Sequence, residues 1–120
     1  MGDRVQKAKK NNRRHFRIHY LGPVRLFWDD AEGRTKYLQV LCLDISENGL
    51  CVDSNESLPM NTRVSLRADL IELAGTAIVR HIHGQGSRFI LGLELSPALM
   101  EQALKLTRNP ALLLTPTQMS

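Results

Sequence analysis

The sequence predicts an all-β domain, a small antiparallel barrel or sandwich of about six short strands, followed by one C-terminal α-helix. Three observations carry this expectation. Apolar and polar side chains alternate over several short stretches, the pattern of half-buried strands. Gly, Asn, Asp and Ser cluster between these stretches, where hairpin turns need them. A helical apolar stripe occurs once, after Ser96-Pro97, and the helix–strand alternation of a parallel α/β fold is missing.

In chain order, residues 17–28 read as the first strand. Ile18, Tyr20, Val24, Leu26 and Trp28 share one face by period two, and Gly22-Pro23 marks a bend or bulge near an edge. Asp29 to Gly33 is a turn, and a second strand covers about 35–45. A polar turn, Asp44 to Asn48, leads into a short strand from Gly49 to Asp53. Residues 54–61 form a loop. Val64, Leu66, Ala68 and Leu70 then alternate with Arg63, Ser65, Arg67 and Asp69, with the apolar set inward. Gly75 marks the next turn, Thr76 to His83 the next strand, and Gly84 to Ser87 a hairpin. Phe89, Leu91, Leu93 and Leu95 form the inner face of the last strand. Ser96 is the expected helix cap and Pro97 the first helical residue. Leu99, Met100, Ala103, Leu104 and Leu106 form the stripe, and Asn109-Pro110 ends it. The expected organisation is a flexible basic arm over 1–12, a barrel domain over 13–97, and the helix with its tail over 98–120.

At 120 residues the chain holds one core. No apolar run approaches the roughly 20 residues of a membrane helix, and the charged N-terminus lacks the apolar segment of a signal peptide. A cytoplasmic location without membrane insertion is the expectation. Cys42 and Cys51 fall on adjacent strands. A disulfide is geometrically conceivable, but reduced thiols packing as small hydrophobes fit a cytoplasmic protein better.

The net charge of +4 is unevenly placed. Residues 1–19 hold seven Lys/Arg against one acid, while residues 20–120 hold nine against eleven. The basicity belongs to the N-terminal arm, which points to a localised anionic partner. Arg13 and Arg17 sit four residues apart with Arg14 between them. Guanidinium groups bind phosphate bidentately and also stack on bases. Taken alone, such a cluster is equally a solvated basic tail. The Asp44 to Gly49 stretch carries complementary chemistry. An Asp44 carboxylate can accept two hydrogen bonds from the N1–H and N2–H edge of a guanine, Ser46 offers a hydroxyl, and Gly49 permits positive φ or close approach of backbone to ligand. Taken alone, this is also the chemistry of a plain hairpin turn.

Together, Arg13-x-x-x-Arg17 and Asp44-x-Ser46-x-x-Gly49 resemble the paired RxxxR and D/N-x-S-x-x-G motifs of the PilZ domain, a bacterial cyclic di-GMP receptor. The likeness extends to Thr76–Arg80, to Arg88–Leu95 and to the helix after Pro97, covering about residues 13–108. It implies a six-stranded antiparallel β-barrel with a C-terminal α-helix, whose arginine arm folds over the barrel mouth when cyclic di-GMP binds. Arg13 and Arg17 would hold phosphates and stack on guanine, and Arg14 would add a phosphate contact. Asp44 would read a guanine edge, Ser46 would bond phosphate or base, and Gly49 would shape the turn. Arg80, near the barrel mouth by the same comparison, is a further ligand-binding candidate. The implied role is a receptor or adaptor that alters a protein-interaction surface, with outputs in motility, biofilm or exopolysaccharide.

Other functions find less support. No nucleophile–base pair, phosphate loop or paired carboxylate with a histidine partner is visible, so no enzyme is expected. His15 and His19, and His81 and His83, lack an evident Cys or acid partner for a metal, and no cofactor is expected. His15, inside the arginine arm, can tune phosphate binding through its own charge. Phe16 would anchor the arm, and Trp28 reads as core. A single-stranded nucleic-acid-binding barrel is the alternative that the basic arm supports, but three Phe, two Tyr and one Trp are few rings for base stacking. A ligand-independent protein adaptor is the third reading.

Overall fold

A computed structural model describes residues 17–47 and 49–108. Seven strands follow in order: β1 (Arg17–Ile18), β2 (Gly22–Asp29), β3 (Thr35–Ser46), β4 (Gly49–Ser54), β5 (Arg63–Ala68), β6 (Leu73–Gln85) and β7 (Arg88–Leu95). A 3₁₀ turn, Asp69–Ile71, precedes β6, and one α-helix, α1 (Pro97–Arg108), ends the domain. All pairings are antiparallel. The sheet runs β3-β2-β5-β6-β7-β4, and β4 pairs back onto β3, which closes a six-stranded barrel. Closure removes the free edges that an open sheet would present. β1 is the extra strand. It pairs with the far end of β3, through Arg17 opposite Ser46 and Ile18 opposite Ile45.

Alternation fills the barrel. Val24 and Leu26 of β2, Val40 and Cys42 of β3, Val64 and Leu66 of β5, and Leu91 and Leu93 of β7 are all buried. Tyr20 and Ile18 join them, and Trp28 packs against them while partly exposed. The single strand expected over 17–28 divides at the bend before Gly22, where the Tyr20 ring occupies the space a side chain at 22 would need.

Two expectations fail between β5 and β6. Leu70 does not continue the inward row of Val64, Leu66 and Ala68; it is 51 % exposed, and Ile71 is buried instead. The chain leaves the strand at Asp69, and a 3₁₀ turn advances side chains by three residues per turn where a strand would alternate them. Glu72, at φ 57, then reverses the chain. Gly75 is therefore not a turn but part of β6. It lies under the helix, where a Cβ would sit 3.0 Å from the Leu99 Cβ.

The helix packs its Leu99, Ala103 and Leu106 stripe onto the barrel, all three being buried. Ser96 Oγ accepts the Leu99 amide at 3.2 Å, one of the bonds a cap supplies. Gln102 docks the helix to β6 like a strand partner. Its Nε2 donates to Ala74 O at 2.8 Å, and its Oε1 accepts from Ala74 N at 3.0 Å. No described helix is long and apolar enough to cross a membrane.

The two thiols are free and lie on opposite faces of the sheet. Cys42 opposes Val52 inside the barrel, while Cys51 opposes Asp44 on the outside. Cys42 packs as a small hydrophobe; Cys51 is only half-buried. Burial pushes the Cys42 thiol up to about 12, and nearby Asp44 adds to the shift. Cys51 is raised in the same way, with Arg17 opposing.

Candidate functional site

Two β-bulges build the site. Along β3, Leu38, Val40 and Cys42 point inward, so simple alternation would send Asp44 into the barrel and Ile45 out. The register between β3 and β4 shifts between Cys42 and Asp44, leaving Leu43 as an extra residue. Ile45 is consequently buried, and Asp44 faces outward, partly exposed. The second bulge lies in β6, where Val79 opposes Leu93 but His81 opposes Gly92, leaving Arg80 unmatched. Arg80 and His81 are both exposed as a result. A bulge re-aims the side chains that follow it, and here each one places polar groups on the outer wall.

The outward groups meet in one open cleft of about 720 Å³, which Arg17, Asp44, Ser46, Gly49, Arg80 and His81 all line. Its floor is a cross-strand row: His81 opposes Gly92, Gly92 opposes Cys51, and Cys51 opposes Asp44. Strands lie about 4.8 Å apart, so this row spans roughly 14 Å along the sheet. Small residues in its middle keep the floor low between polar walls. Met100 of α1 also borders the cleft.

Arg17 and Asp44 form an ion pair through Arg17 Nη1 and Asp44 Oδ2. The backbone explains it. Arg17 is paired with Ser46, and Asp44 lies two residues along the same strand, a diagonal neighbour within reach of a long side chain. Ser46, 6 % exposed, is buried between them and the turn. It opposes Gly49 across the β3–β4 hairpin. Gly49 has φ +128, and a Cβ there would lie 2.1 Å from the Leu93 carbonyl oxygen. Glycine is needed because the backbone of β7 occupies the side-chain space.

Arg80 is held on the opposite wall. Its Nε donates to Glu94 Oε1 at 2.6 Å and its Nη1 to Asn61 Oδ1 at 2.8 Å. Asn61 is itself fixed to β6, with its amide donating to Val79 O at 2.8 Å. Both arginines of the cleft are thus matched by carboxylates.

Of the residues singled out in the sequence, Arg17, Asp44, Ser46, Gly49 and Arg80 come together here. Arg13, Arg14, His15 and Phe16, the arm over 1–12 and the tail after Arg108 lie outside the described residues. Sequence reasoning missed Glu94 and Gly92 as cleft residues and weighed His81 only as a metal ligand. Among the described residues no group of three or more His, Cys, Asp or Glu is placed to hold a metal.

Comparison with known proteins gives this geometry a family. A family model described as the PilZ domain matches residues 11–109. No curated protein sequence matches the chain. Solved structures that share the fold include the following three. The PilZ domain with c-di-GMP of YcgR from Escherichia coli has a TM-score of 0.51 at 17 % identity, over 78 % of this chain and 86 % of that one. YcgR from Escherichia coli in complex with c-di-GMP gives 0.58 at 18 %, over 82 % and 45 %. MrkH of K. pneumonia in its apo state gives 0.56 at 12 %, over 88 % and 53 %. The chain therefore spans about half the length of those last two proteins. At such identities the structural likeness is one of fold, but the family model covers most of the chain and includes both motif segments. The protein belongs to the PilZ domain family.

Proposed function

We propose that the protein is a cyclic di-GMP receptor without catalytic activity of its own, acting in the cytoplasm. The observation that carries this is the meeting of two distant motif segments in one cleft, with Arg17 bonded to Asp44 and registered on Ser46. The family supports it, as does YcgR, whose structures hold c-di-GMP.

The ion pair suggests how binding proceeds. In the free protein the Arg17 cation and the Asp44 anion satisfy each other. Cyclic di-GMP brings a complementary pair: an anionic phosphodiester for Arg17 and a guanine N1–H/N2–H edge for Asp44. Binding is then an exchange of partners, in which neither protein charge is left unpaired. Ser46 supplies a further polar contact beside the turn, and Gly49 holds that turn against β7. Arg13 and Arg14 complete the phosphate site as the arm closes over the cleft. Arg80 makes a lesser contribution, because its guanidinium already serves Glu94 and Asn61.

Closure of the arm changes the surface a protein partner meets, with motility, biofilm or exopolysaccharide as the output. Calorimetric titration tests the central step. Cyclic di-GMP should give saturable heat, and cyclic di-AMP little, because adenine lacks the donor pair that Asp44 reads. No heat from folded protein at tens of micromolar cyclic di-GMP overturns the proposal.

A further inference from the structure

The cleft has a second wall to which the motifs assign nothing, and His81 stands on it. The bulge at Arg80 turns this imidazole outward, into the cleft that Arg17 and Asp44 border. Gly92 lies directly opposite on β7, where a Cβ would sit 3.1 Å from the His81 Cβ and 3.2 Å from its Cδ2. The ring thus leans over the bare backbone of Gly92, in the direction of Cys51 and Asp44. It occupies the end of the floor row remote from Arg17.

Its electrostatic surroundings make it distinctive. The charged and titratable groups around it are Arg80 and His83 on its own strand, Glu94 on β7, Cys51 on β4, Asp44 on β3, Arg17 on β1 and Glu47 in the β3–β4 turn. The loop before β5 contributes neutral Asn61, through Arg80, and α1 contributes neutral Met100. Arg17 is committed to Asp44, and Arg80 to Glu94. The His81 imidazole makes no hydrogen bond or ion pair with any described residue. It is therefore available to a ligand without breaking a protein contact.

We propose that His81 contacts the ligand opposite Arg17, with its imidazole donating an N–H to a phosphodiester oxygen. The inference rests on the cyclic di-GMP reading and adds a contact to it. A hydrogen bond to a charged group of this kind corresponds to about tenfold in affinity.

The test is calorimetric titration of cyclic di-GMP into the whole chain as wild type, His81→Ala and His81→Gln. Circular dichroism establishes that each variant is folded; the exposure of His81 makes loss of fold unexpected. His81→Ala should bind about tenfold more weakly than wild type, and His81→Gln, which keeps an N–H donor, should recover part of that loss. Equal binding by wild type and His81→Ala overturns the role of His81 and leaves the receptor reading standing. No binding by wild type overturns the receptor reading and this assignment with it.

Discussion

Arg17 and Asp44 are joined side chain to side chain across the β1–β3 pairing, although 27 residues separate them in sequence. The bulge at Leu43 makes this possible by turning Asp44 out of the barrel. A two-residue strand is thereby attached to the barrel at the point where the arginine arm begins. The same pair ties β1 to the end of β3 inside the proposed nucleotide site.

The pair is solvent-exposed, with the Arg17 side chain 55 % accessible. Exposed pairs contribute about 0–1 kcal/mol. Arg17→Ala should therefore change unfolding free energy by less than about 1 kcal/mol in chemical denaturation. A larger loss would show Arg17 to be chiefly structural.

Asp44 should govern base selection. Asp44→Ala removes both acceptors and should weaken cyclic di-GMP binding by about tenfold or more, consistent with bonds between charged and neutral groups. Asp44→Asn keeps one acceptor and should fall between. Competition with cyclic di-AMP measures the selectivity directly, and Asp44→Ala should narrow it.

Gly49 should behave differently from its motif neighbours. Gly49→Ala drives a methyl onto the Leu93 carbonyl at a backbone φ of +128. The expected cost is about 2–4 kcal/mol of stability, read as an earlier denaturant midpoint. A stable Gly49→Ala that merely loses ligand would contradict the structural role.

The thiols offer a probe of occupancy and of pH. A thiol reagent should modify Cys51 and spare buried Cys42, and cyclic di-GMP should slow the modification because Cys51 lies on the cleft floor. Cys42 also sets an alkaline limit. Its folded value, about 12, lies above the ordinary thiol value of 9.0. Below the ordinary value both folded and unfolded chains keep the proton, and the full stability is present. Between the two values only the unfolded chain loses it, so stability falls by about 1.4 kcal/mol per pH unit from this group. Cys42→Ala should flatten that fall in urea denaturation across the same interval, while lowering stability at neutral pH.

Much of this was legible in the chain. The inward rows of β2, β5 and β7 follow period two directly, and Ser96-Pro97 announces the helix. Asp44, Ser46 and Gly49 declare themselves by residue type and spacing. The bulges do not. Nothing in Cys42-Leu43-Asp44 or Val79-Arg80-His81 shows that one residue will be left unpaired, because a bulge is fixed by the register of neighbouring strands. Unbroken alternation sends Asp44 and His81 inward, beside Cys42 and Val79. Leu70 misled for a similar reason: the 3₁₀ turn changes the period within a run that still looks alternating. Glu94 and Gly92 read as ordinary outer-face residues of β7 until the barrel brings that strand beside β4.

Calorimetric titration of cyclic di-GMP into wild type and Arg17→Ala, both shown to be folded by circular dichroism, tests the receptor proposal most directly. Saturable heat from wild type and none from the variant, at closely similar stability, is the expected result. Silence from folded wild type at tens of micromolar ligand, or equal binding by the two proteins, would contradict it.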